Sequence, residues 1–97
     1  MAHYIMLVNW TDQGVRTAKD TIKRAESVKE MAKAAGMTVK DIHWTLGTYD
    51  LVVTIEANDD MALTALGLTM AKGGNVRTQT MRAFTQTEMS QILTKVT

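Results

Sequence analysis

The chain has 97 residues, of which 45% are hydrophobic and 22% charged, proportions typical of a folded globular protein rather than a disordered one. Eleven Lys and Arg against ten Asp and Glu leave a net charge of +1, which gives no electrostatic reason to expect a nucleic-acid or membrane partner. Cysteine is absent, which excludes disulfides and thiolate metal sites. Without a signal-peptide pattern or a bilayer-length apolar run, we expect a single cytoplasmic domain over residues 1–97.

A strand and a helix are the first predicted elements. Residues 4–10 are apolar on both alternating faces and end at the turn signal of residues 11–14, which predicts a strand covered on both sides. Apolar residues then recur every three or four positions over residues 17–35, which predicts an amphipathic helix that Gly36 closes. The apolar face predicted for this helix comprises Ala18, Ile22, Ala25, Val28, Ala32 and Ala35.

A β-hairpin is predicted in the middle of the chain. Residues 38–46 and 51–57 alternate apolar and polar side chains around a turn at residues 47–50. The register that puts all apolar side chains on one face places His43 opposite Thr54 on the other face. The apolar pairs predicted by this register are Leu46–Leu51, Trp44–Val53 and Ile42–Ile55.

The chain continues with a helix, a strand and a last helix. Asn58 or Asp59 caps a helix that ends at the next glycine pair, and residues 76–84 alternate as a fourth strand. Thr85 and Glu88 match a capping box that opens the terminal helix. The middle helix has two apolar sides, which is typical of a helix buried on two sides. One side comprises Ala62, Leu63, Leu66 and Met70, and the other comprises Met61, Ala65 and Leu68.

The order of these elements predicts the fold. A β-α-β-β-α-β succession with a C-terminal helix is the ferredoxin-like α+β arrangement, with an antiparallel four-stranded sheet. Right-handed crossovers place both main helices on one face of that sheet, so the chain leaves the other face uncovered. We therefore expect a homo-oligomer, a dimer or larger, built as a dimeric α+β barrel.

Three separated segments give the sequence a family resemblance. They are Asn9-Trp10-Thr11-Asp12-Gln13-Gly14, the segment 44–53 with its motif of Gly47, Tyr49 and Asp50, and Gly74-Asn75-Val76-Arg77-Thr78 followed by Arg82-Ala83-Phe84. In these segments the chain resembles the GYD domain, and the similarity extends over nearly the whole chain. The resemblance implies a ferredoxin-like α+β fold that oligomerises through its sheet, and it implies no assigned catalytic residue.

Few residues suggest chemistry, and each has a structural alternative. His3 and His43 lack the spacing of a metal site, so we expect no metal and no cofactor. On the open sheet face, His43 is either an interface residue or a general base. In the hairpin loop, Asp50 either accepts hydrogen bonds from turn amides or acts as an acid or base, with Tyr49 as proton donor. The candidate catalytic residues are therefore His43, Asp50 and Tyr49.

Four further residues are candidates for ligand binding: Trp10, Thr45, Thr54 and Arg82. Arg82, together with Arg77, suits a carboxylate, although the two lie on opposite faces of their strand. The sheet lacks the basic-glycine-aromatic signature of RNA-binding domains, so we expect no nucleic-acid partner.

Two functions remain open on the sequence alone. The first is a small oligomeric interaction or small-ligand-binding domain of unassigned biochemical function. The second is a cofactor-independent enzyme that acts on a small organic substrate between paired sheets, with His43 or Asp50 moving a proton.

Overall fold

The computed structural model describes all 97 residues, with the predicted strands and main helices in the predicted order and one additional short helix where the sequence predicts a turn at residues 11–14. The strands are β1 (Ala2–Trp10), β2 (Thr38–Trp44), β3 (Leu51–Ala57) and β4 (Val76–Ala83). The helices are α1 (Asp12–Arg16), α2 (Thr21–Ala34), α3 (Asp60–Lys72) and α4 (Gln86–Leu93). The antiparallel sheet has the strand order β2-β3-β1-β4, which confirms the ferredoxin-like α+β fold. None of its helices combines the length and the apolar character that a membrane crossing requires.

The hydrophobic core lies between one sheet face and the helices α2 and α3. The central strands β1 and β3 alternate buried and half-buried residues, so that one face of each strand enters the core. Ala25 and Ala32 bring α2 close to the sheet, because their side chains are small and buried. Leu63 and Leu66 of α3 are buried, which confirms the predicted inner side of that helix. The largest fully buried side chains are Met6, Ile55 and Val8.

The region before α2 differs from the single long helix that the sequence predicts. A helical turn forms α1, a 3-10 turn follows at Ala18–Asp20, and α2 begins only at Thr21. The hydroxyl of Thr21 accepts a hydrogen bond from the Trp44 indole at 3.0 Å, which ties this start to β2. Ile22, in the first turn of α2, is 66% exposed, so its predicted place on the apolar face is wrong.

A close backbone contact holds α1 against the loop before β4. The hydroxyl of Thr11 accepts from the Gly14 N–H at 3.1 Å and donates to the Gly74 carbonyl at 2.6 Å. The Thr11 N–H donates to the Asn75 carbonyl at 3.0 Å. A β-carbon at Gly14 would lie only 1.9 Å from that carbonyl oxygen, so this approach requires glycine.

The register of the hairpin differs from the prediction by two residues. Trp44 lies opposite Leu51 and Ile42 lies opposite Val53, so residues 45–50 form the loop. Leu46, predicted to be paired in the strand, is fully exposed in that loop. A shift of two residues leaves residues 41–44 of β2 on their predicted faces, so the alternation of apolar residues there cannot detect it.

The same shift changes the neighbours of His43. This side chain is exposed on β2 and lies opposite Val52, so the predicted pairing with Thr54 is wrong. Thr54 faces Asp41 instead, and the pairing is irregular between Val39 and Asp41.

The starts of α3 and α4 are capped as predicted. The Asp59 carboxylate accepts from the Ala62 N–H at 2.8 Å. In the capping box, Thr85 accepts from the Glu88 N–H at 3.1 Å, and Glu88 accepts from the Thr85 N–H at 2.9 Å. That hydrogen bond from the Thr85 backbone lowers the pKa of the Glu88 carboxyl below its ordinary value.

The terminal helix α4 extends away from the rest of the molecule. It makes little contact with the sheet or with the other helices. The radius of gyration is accordingly 14.6 Å, against about 13 Å for a compact chain of this length.

Two glycine substitutions are expected to change stability in opposite directions. Gly14→Ala should lower the free energy of unfolding by about 1–3 kcal/mol, because the new methyl group overlaps the Asn75 backbone. Gly67→Ala is the matched control inside α3, where a β-carbon would meet nothing closer than the Thr78 hydroxyl at 3.7 Å. It should raise the free energy of unfolding by about 0.5–1 kcal/mol, since alanine is the better helix former. Urea denaturation measures the free energy of unfolding of both variants. Equal changes in the two variants would contradict the close contact between Gly14 and Asn75.

Candidate functional site

The hairpin loop that carries the family motif is closed by its own residues. Gly47 has a φ of +109°, in the left-handed region that glycine adopts readily. The Thr45 N–H donates to the Asp50 carbonyl at 2.9 Å, and the Thr45 hydroxyl donates to the Tyr49 carbonyl at 2.6 Å. Thr45, a candidate for ligand binding, therefore holds the loop together through both its backbone and its side chain.

Asp50 connects this loop to the central strand. Its carboxylate accepts from the Trp10 N–H at 2.8 Å, and its own N–H donates to the Val8 carbonyl at 2.9 Å. The side chain therefore bonds to β1 and not to the amides of its own turn, contrary to the prediction. The paired residues of β1 and β3 end at Val8 and Leu51, so Asp50 continues the hydrogen bonding beyond the last pair.

The side chain of Tyr49 points away from β2, towards the edge strand β4. Its hydroxyl donates to the Gln79 side chain on β4 at 3.0 Å. His43 lies on β2, at the other edge of the sheet, and two strands separate β2 from β4. Strands lie about 4.8 Å apart, so β2, which carries His43, lies about 14 Å from β4, which carries the partner of the Tyr49 hydroxyl. The structure brings Tyr49 and Asp50 together in one loop and leaves His43 outside it.

The other ligand-binding candidates lie in separate places. Trp10 is half-buried on the helix-covered side of the sheet, where it packs against the core. Thr54 is half-buried on the open face, between Ile5 of β1 and Asp41 of β2. Arg82 lies at the edge strand β4, opposite Tyr4. No single site unites these residues with Thr45.

A groove of about 470 Å³ lies between α3 and the edge strand β4. The hydroxyl of the buried Tyr4 donates to the Asp60 carboxylate there. This hydrogen bond raises the pKa of Tyr4 above its ordinary value of 10.0. Its stabilising effect is therefore fully present below pH 10 and is lost as the pH rises through the raised pKa.

Arg82 lines the same groove but is already engaged. Its guanidinium carbon lies 4.6 Å from the centre of the Phe84 ring and 5.6 Å from that of Tyr4. Glu88 of α4 lies 3.7 Å from a guanidinium nitrogen. Arg77 lines this groove too, although alternation along β4 places the two arginines on opposite faces.

The Tyr4–Asp60 pair was not singled out from the sequence, although one signal for it exists. A tyrosine at a core-facing strand position needs a partner for its hydroxyl, and an acidic residue in the first turn of a helix is a ready acceptor. Which helix supplies that acceptor depends on packing between residues 56 positions apart.

A second groove, smaller and more apolar, separates α2 from α3. Its volume is about 220 Å³. We call this groove the interhelical slot. The sheet forms its floor, and the floor residues are Val8, Trp10, Leu51 and Val53. Arg24 of α2 also lines the slot and is the one charged residue that does so.

The sheet face opposite the helices carries an apolar patch. Ile5 lies opposite Met81, and Leu7 lies opposite Val52, on three adjacent strands. We call Ile5, Leu7, Val52 and Met81 the open-face patch. Polar side chains border it, among them His3, 3.7 Å from Glu56.

Comparison with protein families identifies a match over most of the sequence. The model of the GYD domain family matches residues 4–93, which is nearly the whole chain.

A relative is found in Thermus thermophilus. It is named glutamine synthetase and cystathionine beta-lyase binding protein. The two sequences are 32% identical over 84 residues, which cover 86% of this chain and 88% of the relative.

Removing the Asp50 carboxylate is expected to destabilise the fold. Asp50→Ala should lower the free energy of unfolding by about 1–3 kcal/mol, because the Trp10 N–H loses its acceptor. Asp50→Asn keeps an oxygen in place and should cost less. Asp41→Ala is the control at an exposed position of β2 and should change the value by less than about 0.5 kcal/mol. Chemical denaturation measures all three variants, and an Asp50→Ala protein as stable as the control would refute this role of the carboxylate.

Proposed function

Since the chain belongs to the GYD domain family, we propose that it is a protein-interaction module, one domain over residues 1–97, that assembles with a second copy and binds larger partner proteins. The observation that carries this proposal is the open-face patch. Its apolar centre and polar border are the arrangement found in protein–protein interfaces.

Burial of the patch provides the driving force for self-association. Ile5, Leu7 and Val52 are only half-buried, and Met81 is 41% exposed. Burying a fully exposed side chain of this kind stabilises by about 1.5–3 kcal/mol, and each patch residue contributes the fraction of that energy that corresponds to its exposed part, before the cost of association is subtracted. The same face on a second copy is complementary by symmetry, because the same apolar centre meets itself across a two-fold axis.

A charge in the open-face patch is expected to disrupt this assembly. Met81 lies on the edge strand β4 and is partly exposed, so a monomer with the substitution Met81→Asp should still fold. We expect the unaltered chain to be at least a dimer at micromolar concentration and the variant to be a monomer, because a second copy would bury an unpaired carboxylate.

Light scattering and sedimentation measure the mass, with Ile22→Asp as the control. Ile22 is an exposed apolar residue of α2 on the other side of the molecule, so its substitution should leave the assembly intact. A monomeric unaltered chain throughout the micromolar range would contradict self-association.

The outer side of α3 is a second apolar surface and is our candidate for contact with a partner protein. Met61 is 82% and Leu68 66% exposed, and Ala65 is exposed between them. The Thermus relative is named for binding glutamine synthetase and cystathionine beta-lyase. We propose that one of these two enzymes is also the partner of this chain.

Binding to these enzymes is expected to depend on the outer side of α3. Purified glutamine synthetase and cystathionine beta-lyase are passed separately over the immobilised chain. Leu68→Asp should weaken binding about tenfold or more, because its carboxylate would be desolvated in the contact. Ile22→Asp should bind like the unaltered chain. Absence of binding to both enzymes would refute the partner assignment, and equal binding by both variants would refute the surface.

A further inference from the structure

The interhelical slot is an opening in the helical layer over the core. Its floor includes Val8 and Val53, which belong to the buried core, and the half-buried ring of Trp10. Two methionines, Met31 of α2 and Met70 of α3, line it from the two helices. The slot is a groove of about 220 Å³ that is open to solvent above this apolar floor. A concave apolar surface of this kind is where a small ligand with an apolar body binds.

Arg24 is a positively charged residue that lines the slot and has no carboxylate partner. It is the one residue among the eleven Lys and Arg that is not exposed. Its guanidinium donates to the Thr17 hydroxyl at 2.8 Å and to the Gly14 carbonyl at 3.1 Å, and both acceptors are neutral. Its side chain forms no ion pair within 4.0 Å.

These contacts hold Arg24 in position and leave part of it free. A guanidinium carries five N–H donors, and two hydrogen bonds to protein acceptors use only two of them. A half-buried charge without a counter-ion is costly, and a carboxylate is the group that a guanidinium binds through paired hydrogen bonds. Arg24 lines the slot, so its remaining N–H groups favour an acidic ligand there.

From the volume, the floor and the charge, we propose that the interhelical slot binds a single-ring aromatic carboxylate, with the ring over Trp10 and the carboxylate on Arg24. An apolar cavity of about 150 Å³ is known to hold benzene, so the larger slot has room for a ring with a short acidic arm. The aromatic ring of Trp10 and the sulfurs of Met31 and Met70 suit an aromatic ring better than a flexible alkyl chain.

The lining also excludes an aromatic amino acid as the preferred ligand. No Asp or Glu lines the slot, so the ammonium group of an amino acid would lose its hydration without gaining an anionic partner. The ligand is thus an acid without an amino group. The slot and the open-face patch lie on opposite faces of the sheet, so this proposal is independent of self-association.

Phenylacetate is the probe for this site, and isothermal titration calorimetry measures its affinity for the full chain. We expect saturable binding to one site per chain. Phenylacetamide has the same size without the charge and should bind about 10- to 100-fold more weakly, the effect of losing a charge-assisted hydrogen bond. Hexanoate and L-phenylalanine should both bind more weakly than phenylacetate.

Two variants locate the site within the chain. Arg24→Gln should weaken phenylacetate binding about 10- to 100-fold, whereas Lys23→Gln, which removes an exposed neighbouring cation, should leave it unchanged. Val28→Phe should abolish binding while Arg24 stays in place, because the new ring occupies the slot that Val28 lines. Circular dichroism and the melting temperature confirm that each variant is folded.

The possible outcomes separate the parts of the proposal. Absence of phenylacetate binding at millimolar concentration would overturn it altogether. Equal affinity for phenylacetate and phenylacetamide would overturn the role of Arg24, and equal affinity for hexanoate would overturn the aromatic assignment. Unchanged binding by Val28→Phe would overturn the location. None of these results bears on the mass of the assembly, which is measured separately.

Discussion

The central strand β1 is the constraint on which the rest of this structure depends. It pairs with β3 on one side and with β4 on the other over most of its length, so its backbone fixes the middle of the sheet. Its two faces then divide the molecule. Tyr4, Met6 and Val8 point into the core beneath the helices. Ile5 and Leu7 lie on the open face of the sheet, between β3 and β4. Strand alternation thus places a ligand-sized slot on one side of the sheet and an apolar patch on the other.

The family motif stabilises the end of this strand. Beyond the last pair of β1 and β3, the Asp50 carboxylate accepts a hydrogen bond from the Trp10 N–H. The Tyr49 hydroxyl donates a hydrogen bond to the Gln79 side chain of β4. Gly47 supplies the left-handed conformation that turns the chain back towards β1. The six-residue loop at residues 45–50, which joins β2 to β3, is in this way hydrogen-bonded to β1 and to β4. The hydrogen bonds of Asp50 and Tyr49 account for these residue types without a substrate.

Charge is distributed sparingly over the surfaces that we assign to binding. The open-face patch has polar and charged side chains at its border, where His3 and Lys40 both lie within 4 Å of Glu56. The outer side of α3 presents methionine and leucine to solvent. Both are typical of surfaces that are covered by protein, whereas the interhelical slot places one half-buried cation beside an apolar floor, which is typical of a small-molecule site.

The sequence by itself determined the order of the strands and main helices, the faces of the central strands and the capped starts of α3 and α4. These properties depend on residues close together in the chain, as in the capping box of Thr85 and Glu88. Only the tertiary structure decided the hairpin register, since a shift of two residues keeps residues 41–44 on the same faces. It likewise decided that Asp50 bonds to a strand 40 residues away and that Arg24 lies beside an apolar slot. Such placements follow from packing between distant elements, which no local pattern of residue types encodes.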